Sequence, residues 1–316
     1  MAVPAQTTQA VGRIGIREDL EDAIYNISPM DVPFLSAIGR GKAENTYVEY
    51  QIDSLVAASA QNKTIQGDDL TNENRPATTR VGTYTQIMKK VVGTSTTAQA
   101  VKTAGRANEH SYQLAKAGKE LKRDMEMRFT GNFASVAPLS GTPGETAGAL
   151  AWMTTNVSRG AAGANGGYTA GIVAAATNGT QRASTEALLK AQLASAWNNG
   201  GEPSLVVMSL AQKQIAAAFT GLATSRRESG NKKLTIVAGA DVYVSDVGEV
   251  RFVPDRFCST RDALIVDPSL WEVAVLDPMQ NKALATTGLS DRMAIYTEVA
   301  LKCHQEAGNA VVADLS

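Results

Sequence analysis

Residues 106–129 read RANEHSYQLAKAGKELKRDMEMRF, and no other stretch of the chain is as plainly a single helix. Leu114, Gly118, Leu121, Met125 and Phe129 recur at three- and four-residue steps, and charged residues fill the other faces. The apolar stripe is narrow. The pairs Lys116 with Glu120, Lys122 with Glu126 and Asp124 with Arg128 are spaced one turn apart, which suits an exposed flank. At 1.5 Å per residue the span is roughly 36 Å, so a long, half-exposed strut is expected here.

Upstream of this helix, Tyr47 to Ile52 alternates, with Val48, Tyr50 and Ile52 on one side and Tyr47, Glu49 and Gln51 on the other. Val81 to Val92 alternates as well. The polar stretch between them, Ala57 to Arg80, carries Asn62, Gly67, Asn72 and Pro76 as turn formers, and the whole predicts a long protruding hairpin. Its tip holds Asp68, Asp69 and Glu73 near Lys63, Arg75 and Arg80. Carboxylate clusters attract hard cations, but charges of both signs favour water or a partner subunit, so these six are expected at a subunit interface.

Further upstream, Arg17 to Ile27 places Leu20, Ile24 and Ile27 on one helical face. Pro29 ends that helix, Asp31 can cap a second one over Val32 to Ile38, and Gly39 can terminate it. The first forty residues are expected to form an arm with no part in the core, with Leu20, Ile24, Ile27 and Phe34 as its contacts to a neighbour.

Downstream, Asn132 to Arg182 is dominated by Gly, Ala, Ser, Thr and Asn and reads as a loop-rich linker between two packed regions. Ser184 then caps a helix through Leu188, Leu189, Leu193 and Trp197. Ser204 to Met208 reads as a buried strand, and Ser209 with Gln212 opens a helix reaching Phe219. Strands follow over Leu234–Val237, Asp241–Ser245, Val250–Pro254, Ala263–Val266 and Trp271–Leu276, with turns at Asp267-Pro268 and Asp277-Pro278. The last clear strand is Met293 to Cys303. These elements make a mixed α+β chain with no internal repeat.

Composition narrows the function. With 316 residues, 44% hydrophobic and 19% charged, the chain has globular usage and room for one large domain or two modest ones. Its net charge of -1 lacks the basic excess of a dedicated nucleic-acid binder, so contact with DNA is expected to be weak and non-specific. Neither a signal peptide nor a run of membrane-spanning length is present. Cys258 and Cys303 lie far apart and read as buried hydrophobes, without a disulfide framework or metal-ligand spacing.

Catalytic motifs are equally sparse. No phosphate-cradling glycine motif follows a strand, and His110 and His304 fit no zinc-protease pattern. A Ser-x-x-Lys pair, Ser229 and Lys232, lies in a polar loop without its companion motifs, so a hydrolase is the weaker rival reading. No cofactor or metal is expected.

The order of pieces resembles the Hong Kong 97 phage capsid fold. The residues Asp19-Leu20, Ile24, Ile27-Ser28-Pro29, Pro33-Phe34-Leu35, Asn45-Thr46 and Asp53-Ser54-Leu55 are similar to the opening signature of one subfamily of these tailed-phage capsid proteins. Val244-Ser245-Asp246-Val247-Gly248, Leu264-Ile265-Val266-Asp267, Thr287-Gly288, Glu298 and Leu301 are similar to its closing strands. The resemblance is weakest over Ser135 to Arg182.

It implies an N-terminal arm over 1–44, an E-loop hairpin over 45–103, and a peripheral domain with its spine helix over 104–184. An axial domain over 185–277 and a return to the peripheral domain over 278–316 would follow. It also implies a shell of hexamers and pentamers enclosing double-stranded DNA in the virion, assembled in the host cytoplasm. The partners implied are further copies, a portal, a separate scaffolding protein and a decoration protein. The alternatives are an encapsulin-like cargo shell of the same fold and another phage structural protein, such as a tail or fibre subunit. No motif supports a cross-link through Lys63.

Overall fold

A computed structural model describes residues 31–69, 72, 75–101, 108–219, 242–246, 248–286 and 288–316. The helix expected over Arg17–Ile27 with Leu20, Ile24 and Ile27, the strand expected over Leu234–Val237, Glu73, and the Ser229 and Lys232 pair lie outside the described residues.

In chain order the elements are α1 (Pro33–Ala37), β1 (Gly39–Lys42), β2 (Tyr47–Ile52), β3 (Thr79–Tyr84), β4 (Gln86–Ser95), α2 (Thr96–Ala100) and α3 (Glu109–Thr130). Next come α4 (Ala149–Trp152), β5 (Val157–Ser158), β6 (Gly167–Thr169), β7 (Ile172–Ala174), α5 (Glu186–Asn198), β8 (Leu205–Met208) and α6 (Leu210–Ala217). The chain closes with β9 (Val242–Ser245), β10 (Gly248–Pro254), β11 (Ala263–Val266), β12 (Trp271–Ala283), β13 (Ser290–Cys303) and β14 (Ala310–Val312).

The spine helix α3 is the strut its sequence predicts, started by the Asn108 side chain, which accepts the Ser111 amide. Its buried stripe of Ala117, Leu121, Met125 and Phe129 packs on a four-stranded sheet ordered β1-β12-β13-β4. Gly118 lets the sheet approach, since a methyl group there would stand 3.3 Å from Ile295 Cδ1. Of the three expected intrahelical ion pairs only Lys116–Glu120 forms, at 3.9 Å. Asp124 instead reaches Lys90 on β4, and Arg128 reaches Glu145 while donating to the carbonyls of Ala134 and Thr146. Tertiary partners outcompete a neighbour one turn away, whose pairing contributes only about 0.2–0.5 kcal/mol.

The alternating run Val81–Val92 serves two sheets. It breaks at Thr85, whose amide donates to the Thr46 carbonyl and whose hydroxyl donates to Glu298. Before that point β3 pairs with β2 in the hairpin base, and after it β4 pairs with β13. The strand expected to stop at Leu276 continues as β12 to Ala283 through register shifts around Asp277. Pro278 is tolerated because β1 pairs only with Glu272–Val275, leaving this part of β12 an open edge where a missing N–H costs no ladder bond.

A six-stranded sheet, ordered β5-β14-β11-β8-β10-β9, forms the second unit. One face of it, with Val206, Met208, Ile265 and Val312, is covered by Leu189, Leu193 and Ala196 of α5 and Ala216 of α6. The other face, with Leu205, Val207, Leu264 and Val311, joins the core that holds Leu121, Phe129 and Trp271. Burial on both faces explains why β8 and β11 read as unbroken apolar runs. The α5 cap is Thr185, one residue after the expected Ser184, and the Ser209 hydroxyl accepts the Gln212 amide as expected.

Three expectations need correcting. The stretch 132–182 is no linker: Ala147 and Ala149 to Met153 are buried in the main core. Its small residues permit close packing; at Gly148 a methyl group would collide with the carbonyls of Arg128 and Gly131. The end of the chain does not return with β13, because β14 pairs with β11 and β5 in the six-stranded sheet. Nor is α1 free of the core: Phe34, Leu35 and Ile38 are buried, with Phe34 edge-on to Trp271 at 5.8 Å between ring centres.

Candidate assembly surfaces

The hairpin divides into a seated base and an unsupported tip. At the base the Tyr50 hydroxyl donates to the Cys303 carbonyl and accepts from the Cys303 amide, and Lys302 Nζ lies 4.9 Å from the centre of the Tyr50 ring. The Tyr47 and Tyr168 hydroxyls are 3.2 Å apart, and the Tyr47 ring stacks obliquely on Tyr84. Burial pushes the Tyr50 hydroxyl well above its ordinary pKa, so it stays a neutral donor. A glycine is required at position 82, where a methyl group would stand 2.7 Å from the Tyr47 ring and 2.9 Å from the Val48 carbonyl.

Beyond the base, every described residue from Asp53 to Arg80 is exposed. Leu55 is 98% exposed and Ile65 77%, with no cover from the described residues. Lys63, Asp68, Asp69 and Arg75 sit on this tip and form no ion pair with one another. Local bonds shape it instead: the Asp69 amide donates to Asp68, and Gly67 takes the left-handed conformation at φ +86°. Arg80 is the exception among the expected contact residues, because it pairs within the chain with Glu49 across the two strands of the base.

Phe34 cannot serve as a contact to a neighbour, since its side chain is 0% exposed. What seats α1 is a residue that sequence periodicity assigns to an exposed flank. Glu126, on the spine helix, accepts the amides of Phe34 at 2.7 Å and Leu35 at 2.8 Å, and is itself fully buried. Val32 supplies no side-chain cap and Asp31 makes none, so Glu126 does that work from 91 and 92 residues away. Burial raises its carboxyl from the ordinary 4.5 to about 7, the two amides opposing this and Asp255 adding to it.

Both histidines have structural partners among the described residues. His110 Nδ1 meets the Thr94 hydroxyl and His304 Nε2 lies 3.0 Å from Glu272. Burial pushes both Cys258 and Cys303 upward, which keeps them as inert thiols. Among the described residues no three His, Cys, Asp or Glu side chains gather as a metal site, and no helix is long and apolar enough to cross a membrane.

Residues 3–316 match the family model described as SU10 major capsid protein. The chain belongs to the SU10 major capsid protein family. The major capsid protein of Escherichia phage Phieco32 is 37% identical over 100 residues, a match covering 32% of this chain and 28% of that protein. Solved structures similar to this family member include the capsid of a native GTA particle, with TM-score 0.62 at 11% identity over 99% of this chain and 100% of that one. A chain of Microbacterium phage Oxtober96 gives 0.61 at 11% identity, covering 95% and 96%. The holo-SrpI encapsulin complex of Synechococcus elongatus PCC 7942 gives 0.55 at 12% identity, covering 99% and 93%. At such identities the likeness establishes the fold, which is the Hong Kong 97 type that the sequence resembles. In this SU10 family member the spine helix and the base of the hairpin share one core, which holds Leu121, Phe129 and Val81.

Proposed function

We propose that the chain is the shell subunit of a phage head, assembling as hexamers and pentamers around double-stranded DNA. The observation that carries this is the hairpin: a firmly seated base holding out a tip whose apolar residues, Leu55, Val56 and Ile65, stand in water. Exposed apolar surface of this kind is stabilised when another molecule covers it. The tip would lie over a neighbouring copy, with Lys63, Asp68, Asp69, Glu73 and Arg75 pairing there. The arm residues Leu20, Ile24 and Ile27 would contact another copy. Individual exposed ion pairs contribute about 0–1 kcal/mol, so the shell would persist through many simultaneous contacts per subunit.

The near-neutral charge fits a container that touches its genome weakly. A portal, a separate scaffolding protein, a decoration protein and assembly in the host cytoplasm complete the proposal. A structural role, without catalysis, fits the inert cysteines and the partnered histidines.

The test is electron microscopy of the expressed protein, alone and with its neighbouring phage gene products. Closed icosahedral particles carrying hexamers and pentamers are expected, and tubes or trimers would count against the proposal. The encapsulin likeness favours a second reading, a cargo shell; particles filled with protein in place of genome would select it.

A further inference from the structure

One face of the spine helix is open to water and ends under α1. Ala115, Lys119, Lys122 and Glu126 follow one another at steps of four, three and four, so they share that face. Ala115, Lys119 and Lys122 are exposed, whereas Glu126 is buried against the first turn of α1, whose Phe34 and Leu35 amides it accepts. Lys116 pairs with Glu120, and Arg123 lies over the Phe257 ring at 5.2 Å. Lys119 and Lys122 are thus the cations of this face with no ion pair among the described residues. Because α1 meets Glu126 with its N-terminal end, the chain before it emerges beside Lys122, about 6 Å along the helix, with Lys119 about 10 Å along.

That preceding chain carries the complementary charge. Within residues 17–27, outside the described residues, Glu18, Glu21 and Asp22 recur at helical steps on the side opposite Leu20, Ile24 and Ile27. Asp19 adds a further carboxylate, and Arg17 is the single cation of the segment. We propose that this acidic face of the arm docks on the Lys119 and Lys122 face of its own spine helix, which turns Leu20, Ile24 and Ile27 outward. Residues 28–32 join the segment to α1 and span at most about 17 Å, enough to lay the acids over both lysines. Exposed ion pairs are weak one at a time, but so short a tether holds the two faces at an effective concentration on the order of mM. The net charge of the whole chain is -1, so the opposite charges belong to these two segments and not to the molecule at large. The inference goes beyond the shell reading and rests on it only for the neighbouring copy that the outward apolar face would meet.

The experiment uses the full chain as a dilute subunit at low salt, half of the copies carrying heavy nitrogen, with a zero-length carbodiimide cross-linker and mass spectrometry. Lys119 or Lys122 joined to Glu18, Glu21 or Asp22 is expected, in pairs that are wholly light or wholly heavy. Their yield should fall about fivefold in about 0.5 M NaCl, where charges are screened beyond roughly 4 Å. The Lys90 and Asp124 pair, 2.6 Å apart, is the internal control for the reagent. Lys119→Glu with Lys122→Glu should abolish the arm cross-links, and adding Glu18→Lys, Glu21→Lys and Asp22→Lys should restore them with the partners reversed. Arm cross-links absent while the control forms would overturn the docking, as would charge reversal without effect. Mixed light and heavy pairs would place the arm on another copy's spine helix and overturn it too. None of these outcomes touches the shell reading, which stands or falls on particles seen by microscopy.

Discussion

Tyr50 and Cys303, 253 residues apart, share one hydroxyl: it accepts the Cys303 amide at 3.2 Å and donates to the Cys303 carbonyl. Through this bond the base of the projecting hairpin is fixed to the end of β13, the longest strand of the four-stranded sheet. The hairpin is thus aimed by its own chain even though none of the described residues covers its tip.

Tyr50→Phe removes both bonds and leaves the buried polar groups of Cys303 unpaired. A loss of about 1–3 kcal/mol is expected in chemical denaturation of the subunit. Shell yield should fall with it, since the angle of the hairpin would no longer be fixed.

Gly82→Ala places a methyl group against the Tyr47 ring and the Val48 carbonyl of the facing strand. Roughly 1–3 kcal/mol of destabilisation is expected from the forced splaying of β2 and β3. Gly93→Ala is the matched control, because its methyl group would meet only Arg292 Cγ at an ordinary 3.7 Å. Thermal unfolding of the two variants should separate them clearly.

Asp314 is fully buried at φ +59°, accepts the amides of Gly160 and Gly179, and pairs with Arg261 at 3.0 Å. It ties the small-residue stretch to the end of the chain. Asp314→Ala strips the Gly160 and Gly179 amides of their acceptor, leaves Arg261 only the Gly179 carbonyl, and puts alanine in a left-handed conformation, so about 2–4 kcal/mol should be lost. Asp314→Asn should cost less, because asparagine tolerates that conformation and keeps an acceptor. Denaturant midpoints of both variants check the ranking.

Much of this fold was legible because each long element carries its own periodicity. The Leu121, Met125, Phe129 stripe defines the spine helix, and Tyr47–Ile52 declares its pleat without help from anything distant. Glu126 was not legible: in sequence it stands one turn after Lys122, and only a helix some 90 residues upstream makes it a buried acceptor. Ala149 to Met153 was missed because small residues look like linker until their close packing is seen. The break at Thr85 was hidden because one alternating run can feed two sheets without changing its pattern. For the assembly surfaces, the exposed tip followed from composition, whereas the burial of Phe34 depended on Trp271, far along the chain.

The shell reading rests on the hairpin tip finding its burial on another copy. Replacing residues 54–77 with a two-residue Asn-Gly turn shortens the hairpin while keeping the Ile52–Thr79 pairing of its base. Electron microscopy of that variant, beside a circular dichroism melt showing the subunit folded, should reveal soluble subunits and no closed particles. Normal closed shells from the tipless chain would contradict it.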